Sequence, residues 1–137
     1  MATKEEVAKF IAEEFPQTKI AIREVSNRGC VVSHHVGHAE LRPGGTVAGP
    51  VLMAVADAGL YVAILGEIGI VPLTVTTSLT IKVLRKPSGS KDIVGVCKLM
   101  KVGRTLAVGE VALYSEGEEA PVAHVVGTYS IPRDARP

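Results

Sequence analysis

One acidic residue, Asp57, lies in the most apolar stretch of the sequence and is the first residue whose chemistry needs an explanation. Of the 20 residues at positions 47–66, 15 are apolar and Asp57 carries the only charge. Burying an ionised carboxylate in such a segment is costly unless the group is paired or hydrogen-bonded. Two interpretations are open: Asp57 is a structural residue bonded to a backbone donor or an arginine, or it is a general base or nucleophile.

A glycine-rich loop in front of Asp57 suggests a complementary group. Residues 44–50 (GGTVAGP) lead into the apolar segment, and a helix starting there would present unbonded backbone N–H groups at its N-terminus. Such donors, together with the helix dipole, can stabilise an oxyanion that develops during a reaction. Gly49 has no side chain and would let a carbonyl group approach closely. No Gly-Lys-Ser/Thr sequence follows, which argues against a nucleotide phosphate loop.

The cysteines and histidines do not have the spacing of metal ligands. Cys30 and Cys97 are 67 residues apart, so we expect buried free thiols and a reducing, cytoplasmic location rather than a zinc site or a disulfide framework. His34 and His38 share one face if residues 30–39 form a strand, but about 13 Å would separate them, too far for one ion. We therefore predict no metal site.

The composition predicts one domain without a strong electrostatic field. With 137 residues, 47% of them hydrophobic, the chain can form a single domain over residues 1–137 with its own core. A net charge of +1 and few aromatic residues argue against a nucleic-acid partner. The mean hydropathy of +0.29 is high for a small monomer, so we expect part of the apolar surface to lie in an oligomer interface.

Local patterns predict an α+β arrangement. Thr3 and Glu6 form a capping box in front of helically spaced apolar residues. Pro16 ends that run, which predicts a short N-terminal helix within residues 1–16. The apolar segment 47–66 is long enough to span a membrane, but its central carboxylate favours a helix buried in the protein. Alternating and β-branched runs with short turns predict six strands in a mainly antiparallel sheet around this helix. The predicted strands span residues 18–26, 30–39, 73–84, 92–102, 104–115 and 121–131.

Three segments of the sequence resemble the hotdog-fold acyl-CoA thioesterases, most closely the branch named for phenylacetyl-CoA thioesterases. Residues 41–58 (LRPGGTVAGPVLMAVADA) resemble the loop and central helix of that family. Residues 75–87 (VTTSLTIKVLRKP) resemble the strand after the helix, and residues 101–104 (KVGR) resemble the following Gly-Arg turn. The resemblance covers about residues 18–132. It implies a single hotdog domain, in which an antiparallel sheet wraps a long central helix.

The resemblance also implies roles for individual residues. Asp57 matches the carboxylate that activates water or attacks the thioester, and Gly49 matches the glycine whose N–H polarises the thioester carbonyl. Thr76 matches a strand hydroxyl that orients the water. Ala48 occupies the position of a family histidine. Arg42 lies where several members have asparagine, and it could contact the carbonyl or a substrate carboxylate, or pair with Asp57. The residues that match the grip on coenzyme A (CoA) are Arg42, Arg85, Lys86, Lys101, Gly103 and Arg104.

The spacing of Gly49 and Asp57 predicts a shared active site. Eight residues of helix separate them, about 12 Å along the axis, whereas reacting groups must lie within about 3.5 Å of each other. Two antiparallel copies of the helix across a two-fold axis would bring Gly49 of one chain beside Asp57 of the other. This geometry and the family resemblance both imply a homodimer with two equivalent sites, and we expect a dimer of dimers.

Three functions remain open. The resemblance favours hydrolysis of acyl-CoA to a free acid and CoA, with no separate cofactor because CoA is part of the substrate. An acyl-CoA-binding protein without efficient turnover is an alternative, since Ala48 replaces the family histidine. An acyl-CoA hydratase or dehydratase is the third, although it would need a histidine that this position lacks.

Overall fold

The computed structural model describes residues 1–137 as a six-stranded sheet packed around a long helix, with a shorter helix at the N-terminus. The helices are α1 (Lys4–Glu14), α2 (Gly49–Ile68) and a short 3-10 helix (His38–Glu40). The strands are β1 (Ile20–Ser26), β2 (Gly29–His34), β3 (Val75–Val83), β4 (Ile93–Val102), β5 (Leu106–Ser115) and β6 (Ala123–Ser130). The predicted α+β class and the predicted order of elements are confirmed.

All neighbouring strands of the sheet are antiparallel, in the order β1-β2-β4-β5-β6-β3. β5 and β6 alternate between buried and less buried residues along most of their length, as expected for strands with one face on a core. β1 and β3 form the two edges. β3 is largely exposed, and the hydrogen-bonding groups on its outer side have no partner strand within the chain.

α2 packs against one face of the sheet and forms the centre of the core, with 12 of its residues buried. Leu60 is fully buried, and glycines in the strands make room for it. A Cβ atom at Gly109 or Gly127 would lie 2.6 Å or 2.8 Å from a methyl group of Leu60. A Cβ atom at Gly59 would likewise lie 2.7 Å from Sγ of Cys97. Small residues on both sides therefore let the sheet approach the helix closely.

The apolar segment of the sequence is the core helix, as predicted. α2 is long and apolar enough to cross a membrane, but 67% of its most apolar 18-residue stretch is buried inside the protein. Between its first turn and Glu67, only a narrow strip of the helix is open: Met53 and Ala54 are exposed, and Asp57 and Tyr61 are partly exposed. Because these positions recur at three- and four-residue spacing, they lie on one face of the helix. That face carries the single carboxylate of the apolar segment.

α1 begins at the predicted capping box. The N–H of Glu6 donates to the Thr3 hydroxyl at 3.1 Å, and the N–H of Thr3 donates to Oε1 of Glu6 at 3.0 Å. Val7 and Ile11 are buried and attach the helix to α2 and β1. Phe15 ends the helix just before Pro16. The capping residues and the apolar spacing therefore predict this element correctly.

The second strand is shorter than predicted. β2 ends at His34 rather than at residue 39, and the chain then enters the 3-10 helix that begins at His38. The cause is a tertiary contact, since Oδ1 of Asp92 accepts the N–H of Val36 at 3.0 Å and draws the backbone away from the sheet. The expectation that His34 and His38 share one strand face is therefore wrong.

Four strands, β1, β3, β5 and β6, each begin two residues later than predicted. In β3 the reason is a turn, because the N–H of Thr74 donates to the carbonyl of Val71 at 3.1 Å and holds residues 73 and 74 outside the sheet. Leu73 is consequently exposed, and Thr74 is buried next to the start of the strand.

The two cysteines are free and buried, as expected. Cys30 and Cys97 lie directly opposite each other on β2 and β4, and Sγ of Cys30 donates to the carbonyl of Gly59 at 3.1 Å. The hydrogen bond with Cys30 and burial together raise the pKa of the Cys97 thiol well above its ordinary value. A thiol with a raised pKa stays protonated at neutral pH, so Cys97 acts as a small apolar residue of the core.

Candidate active site

Asp57 lies on the open face of α2, and one oxygen of its carboxylate accepts two short hydrogen bonds. The Thr76 hydroxyl donates to Oδ1 at 2.5 Å. The Tyr129 hydroxyl lies 2.6 Å from the same atom and 2.9 Å from the Asp57 carbonyl oxygen. Arg42 does not pair with Asp57 of the same chain: it is absent from the wall of the cavity beside Asp57, and its Nε donates to the carbonyl of Pro43 at 3.0 Å. Hydroxyl groups therefore hold the carboxylate at Oδ1 and leave Oδ2 without a protein partner.

The pairing of β3 with β6 places the two hydroxyl donors side by side. Thr76 and Tyr129 are direct partners in the antiparallel register, so their side chains emerge on the same face of the sheet. The register shifts between Thr76 and Ser78, which marks a bulge immediately after the donor. Two strands that are far apart in sequence thus fix the carboxylate of the central helix.

Tyr129 is absent from the residues that the sequence predicts for the site. It is 1% exposed. Its pKa is raised well above the ordinary value because burial disfavours the phenolate and because its hydroxyl donates a hydrogen bond to the Asp57 carboxylate. Tyr129 is therefore a neutral donor at physiological pH. The alternation of β6 is the signal that points to it, since a tyrosine on the buried face of a strand needs a partner for its hydroxyl.

A cavity of about 610 Å³ opens beside Asp57 and has an aromatic wall. The ring centroid of Tyr61 lies 6.4 Å from those of Phe10 and Phe15, and its hydroxyl donates to the carbonyl of Pro72 at 2.9 Å. α1 therefore closes one side of the cavity with its phenyl rings. Four of the five aromatic residues of the chain line this space, namely Phe10, Phe15, Tyr61 and Tyr129. Such a wall suits an apolar group of a ligand.

Gly49 is the first residue of α2, and its backbone N–H donates no hydrogen bond in the structure. A Cβ atom at this position would meet no other atom within 4 Å, so the space in front of the glycine is open. Ala48 forms the N-cap without a side-chain hydrogen bond, and Pro50 has no N–H to offer. The Gly49 N–H is therefore a free donor at the positive end of the helix dipole.

Gly49 and Asp57 open onto different cavities of the chain. Gly49 lines a second cavity, of about 580 Å³, whose wall does not include Asp57. The cavity beside Asp57 does not include Gly49. Their separation along α2 is about 12 Å. A single chain therefore does not bring the free N–H and the carboxylate to one reacting carbon atom.

The family model for the thioesterase superfamily matches residues 44–122, more than half of the chain. The chain belongs to the thioesterase superfamily. The matched stretch includes Gly49, Asp57 and Thr76, together with α2 and the strands from β3 to β5. The resemblance to hotdog thioesterases that the sequence shows is therefore confirmed, and so is the hotdog architecture.

Several solved structures share the whole fold of this chain. A candidate thioesterase from Silicibacter sp. is 41% identical, with a TM-score of 0.88 over 95% of this chain and 92% of that one. Zebrafish thioesterase superfamily member 2 is 20% identical, with a TM-score of 0.85 over 96% of this chain and 100% of that one. The PaaI protein from the phenylacetic acid degradation operon of E. coli is 19% identical, with a TM-score of 0.77 over 92% and 95% of the two chains. A comparison with curated protein sequences gave no match.

In this thioesterase-superfamily chain, the predicted CoA-binding residues form two groups. The first group, Arg42, Arg85 and Lys86, lines the Gly49 cavity. Nε of Arg85 donates to the carbonyl of Pro121 at 2.9 Å, which attaches the guanidinium to the segment in front of β6. Three cations thus line the cavity onto which the free N–H of Gly49 opens, where an anionic ligand would find both charge and a backbone donor.

The second group, Lys101, Gly103 and Arg104, lies at the turn between β4 and β5. Arg104 lines a third cavity, of about 530 Å³, together with Arg133 and Arg136 of the C-terminal segment. Arg136 donates to the carbonyl of Gly103 and so attaches this segment to the turn. β6, with eight residues, spans the distance to the first group, about 26 Å. The structure does not bring the two groups together within one chain.

The histidines lie away from both the Asp57 and Gly49 cavities, whose walls contain none. Nδ1 of His35 lies 3.1 Å from Oδ1 of Asp92, and Nε2 of His124 lies 3.0 Å from Oε1 of Glu110. The structure has no group of three or more His, Cys, Asp or Glu side chains arranged to hold a metal ion. Asp57 and the hydroxyl groups beside it are thus the reactive part of the candidate site.

Proposed function

We propose that this chain hydrolyses acyl-CoA thioesters to a free acid and CoA, with Asp57 as general base or nucleophile. The observation that carries the proposal is the Asp57 carboxylate in the wall of an aromatic-lined cavity. Thr76 and Tyr129 hold Oδ1, and Oδ2 has no protein partner. In the proposed complex the acyl group fills the cavity, and the thioester carbon lies next to the carboxylate.

The reaction has two forms that this arrangement supports. As a general base, Asp57 takes a proton from water while the water oxygen bonds to the thioester carbon and the carbonyl oxygen becomes an oxyanion. The tetrahedral intermediate then breaks its C–S bond, and the CoA sulfur leaves and takes up the proton. As a nucleophile, Asp57 bonds to the carbon itself, CoA leaves as the thiolate, and water hydrolyses the resulting anhydride. In both forms the Thr76 hydroxyl orients the attacking group.

The oxyanion needs a hydrogen-bond donor, and we assign that role to Gly49 of a partner chain. The support is the free Gly49 N–H, which opens onto a different cavity from Asp57 of the same chain. Two antiparallel α2 helices related by a two-fold axis would pair the Gly49 cavity of one chain with the Asp57 cavity of the other. The proposal therefore includes a homodimer with two shared sites.

The open edge of β3 supports this homodimer. Four large apolar residues in or next to the strand are between 46% and 72% exposed, and they are Leu73, Val75, Val83 and Leu84. Antiparallel pairing of β3 with its copy would cover them and join the two sheets. A second apolar patch, Val96 and Met100, lies on β4 and supports association of two dimers.

The same pairing rationalises the two basic groups as a grip on CoA. It would place the end of β3 that leads to Arg85 and Lys86 beside the start of β3 in the partner. That start lies at the same end of the sheet as the turn that carries Arg104. Arg42 would lie with Arg85 and Lys86, and Lys101 and Gly103 with Arg104. We propose that both groups contact one CoA molecule, with the guanidinium groups on its phosphates.

A non-catalytic acyl-CoA-binding protein is a second candidate. The observation that favours it is Ala48, whose side chain offers no hydrogen bond beside the Gly49 N–H. A hydratase or dehydratase is disfavoured because no histidine lines either cavity. In each case we propose action in the cytoplasm, without a separate cofactor.

The deciding experiment offers the protein a panel of acyl-CoAs and detects released CoA with a free-thiol reagent. Hydrolysis by the wild type, lost in Asp57→Asn, supports the proposed reaction. Binding of acyl-CoA without thiol release from any member of the panel would replace it with the binding function.

A further inference from the structure

The hydroxyl group of Thr74 is buried and has no hydrogen-bond partner. Every other buried side-chain oxygen or nitrogen atom of the protein has one. Thr74 is 3% exposed and lines the cavity beside Asp57. Its backbone N–H closes the turn to Val71, but nothing in the fold uses the hydroxyl. Buried polar groups are nearly always paired, so a partner from outside the chain is expected. Because no bond fixes the hydroxyl, rotation about χ1 can turn it to the cavity.

The charge of the cavity wall limits what that partner can be. Asp57 and Glu14 both line the cavity, and no lysine, arginine or histidine does. The cations of the partner's Gly49 cavity are assigned to the CoA phosphates, so an acyl group with its own carboxylate would meet two like charges and no free cation on this wall, which disfavours its binding. A plain hydrocarbon would fit the aromatic wall but would leave Thr74 without a partner. A neutral oxygen on an otherwise apolar acyl group satisfies both conditions.

We infer that Thr74 determines acyl specificity by hydrogen-bonding a neutral hydroxyl or carbonyl oxygen on the acyl group. The inference rests on the proposed function, since it takes this cavity as the acyl site. Thr74 precedes Thr76 by two residues, which places their Cα atoms about 6–7 Å apart in extended chain. Thr76 contacts the carboxylate that faces the thioester carbon. The oxygen bound by Thr74 therefore lies several bonds from that carbon.

Medium-chain substrates test this inference well, because a flexible chain can bring an oxygen to Thr74 from several positions. The series consists of octanoyl-CoA, its analogues with a hydroxyl at each carbon from the fourth to the seventh, and an analogue with a terminal carboxylate. We expect one hydroxylated member to exceed octanoyl-CoA about tenfold in kcat/KM, the effect of one good hydrogen bond. The carboxylated member should be the poorest substrate.

Three variants isolate the hydroxyl. Thr74→Val keeps the shape of the side chain, and the ratio of kcat/KM between the best hydroxylated substrate and octanoyl-CoA should fall to about one. Thr74→Ser keeps the hydroxyl and should retain the preference. Thr128→Val is the matched control, since Thr128 alternates with Tyr129 on β6 and lies on the other face of the sheet. It should leave the ratio as in the wild type, and thermal unfolding checks that each variant is folded.

Thioether analogues of CoA separate a failure of this inference from a failure of the proposed function. In S-octyl-CoA and its hydroxylated relatives a methylene replaces the carbonyl, so only binding is measured, by calorimetry. If the wild type hydrolyses no acyl-CoA, the proposed reaction fails, and the ratio of Kd values still tests Thr74. Equal Kd values for S-octyl-CoA and every hydroxylated analogue would overturn the inference. An unchanged ratio in Thr74→Val would also overturn it and would assign the partner of Thr74 to water.

Discussion

The hydroxyl of Tyr129 lies 2.6 Å from Oδ1 of Asp57 and joins the last strand of the sheet to the central helix. Thr76 donates to the same oxygen from the edge strand. The position of the carboxylate therefore depends on the pairing of β3 with β6 as much as on the helix that carries it. Substitutions at these three positions should separate the chemical role of the carboxylate from its role in holding the strands and helix together.

Asp57→Asn should abolish hydrolysis while CoA binding survives. The amide keeps an oxygen that can accept from Thr76 and Tyr129, but it can neither take a proton from water nor act as a nucleophile. Loss of a general base costs about 10²- to 10⁴-fold in kcat.

Tyr129→Phe, which removes only a positioning hydrogen bond, should lower kcat about tenfold with little change in KM. Steady-state kinetics checks both, and an Asp57→Asn variant with most of the wild-type kcat/KM would refute the catalytic assignment.

Asp57→Ala should destabilise the fold more than Asp57→Asn. The alanine removes the side-chain acceptor of two hydroxyl groups, those of Thr76 and Tyr129. At about 0.5–1.5 kcal/mol for each hydrogen bond, this costs about 1–3 kcal/mol of unfolding free energy, although the Tyr129 hydroxyl keeps the backbone carbonyl of residue 57 as an acceptor. Asparagine retains an acceptor at the same position, so its cost should be under about 1 kcal/mol. Urea denaturation at neutral pH measures the difference. Equal losses in the two variants would mean that the hydrogen bonds to the Asp57 side chain contribute little to the free energy of unfolding.

Alkaline pH should destabilise the protein through Tyr129. The pKa of this phenol is raised in the folded state by burial and by the Asp57 carboxylate, so the folded protein keeps a proton that the unfolded chain loses near pH 10. The stabilisation is complete below pH 10, and it declines above it by up to about 1.4 kcal/mol for each pH unit.

Tyr129→Phe supplies the comparison for this pH effect. Burial also raises the pKa of Tyr61, but that residue is present in both proteins and cancels in the difference. Urea denaturation between pH 8 and pH 11 should therefore show a shallower alkaline decline in the variant. Parallel declines in the two proteins would contradict the assignment.

Arg85→Ala and Arg104→Ala should each raise KM for acyl-CoA with a smaller effect on kcat, because uniform binding of the CoA phosphates is lost. Raising the salt concentration should weaken CoA binding to the wild type more than to either variant. Lys9→Ala is a suitable control, since Lys9 is exposed on α1 and pairs only with Glu13. If both arginine variants bind CoA as tightly as the wild type at low salt, the grip on CoA lies elsewhere.

Mixing two inactive variants should restore activity if each site is shared between chains. Asp57→Asn removes the carboxylate, and Gly49→Val obstructs the free N–H. The open space around Gly49 leaves room for the valine side chain, so this variant should fold. After subunit exchange, heterodimers have one intact site of two, and random pairing gives up to about a quarter of wild-type activity. No recovery after verified exchange would show that Gly49 and Asp57 of the same chain act together.

The sequence predicts the helices and strands that neighbouring residues in the chain determine. The capping box of Thr3 and Glu6 and the run from residue 47 give both helices, and alternating residues give the strands of the antiparallel sheet. The end of β2 could not be predicted in this way, because the N–H of Val36 leaves the sheet for a carboxylate 56 residues away, on Asp92. Long-range hydrogen bonds of this kind leave no periodic trace in the segment that they redirect.

Some residues of the candidate site can likewise be predicted from the sequence, and others depend on contacts between distant segments. Asp57 is visible in the sequence because a lone charge in an apolar segment needs an explanation, and the family resemblance adds Gly49 and Thr76. The alternation of β6 marks Tyr129 as buried, but its contact with Asp57 follows only once the β3–β6 register is known, and the aromatic wall only once the position of α1 is known. The two groups of basic residues are also recognisable by type, but their separation by the length of β6 depends on the sheet order.

The aromatic wall has a consequence for how this protein and its relatives can diverge. Phe10 and Phe15 belong to α1 and its C-terminal end, which precede the stretch that matches the superfamily model, whereas Gly49, Asp57 and Thr76 lie within it. If the proposed reaction is correct, the two phenyl rings that shape one side of the acyl cavity are encoded apart from the residues of the bond-breaking chemistry, whereas Tyr61 and Thr74 of the same wall lie within the matched stretch. An exchange of residues 1–16 between relatives would therefore reshape one side of the acyl cavity in a single recombination step and leave Thr74 and the residues assigned to thioester cleavage unchanged.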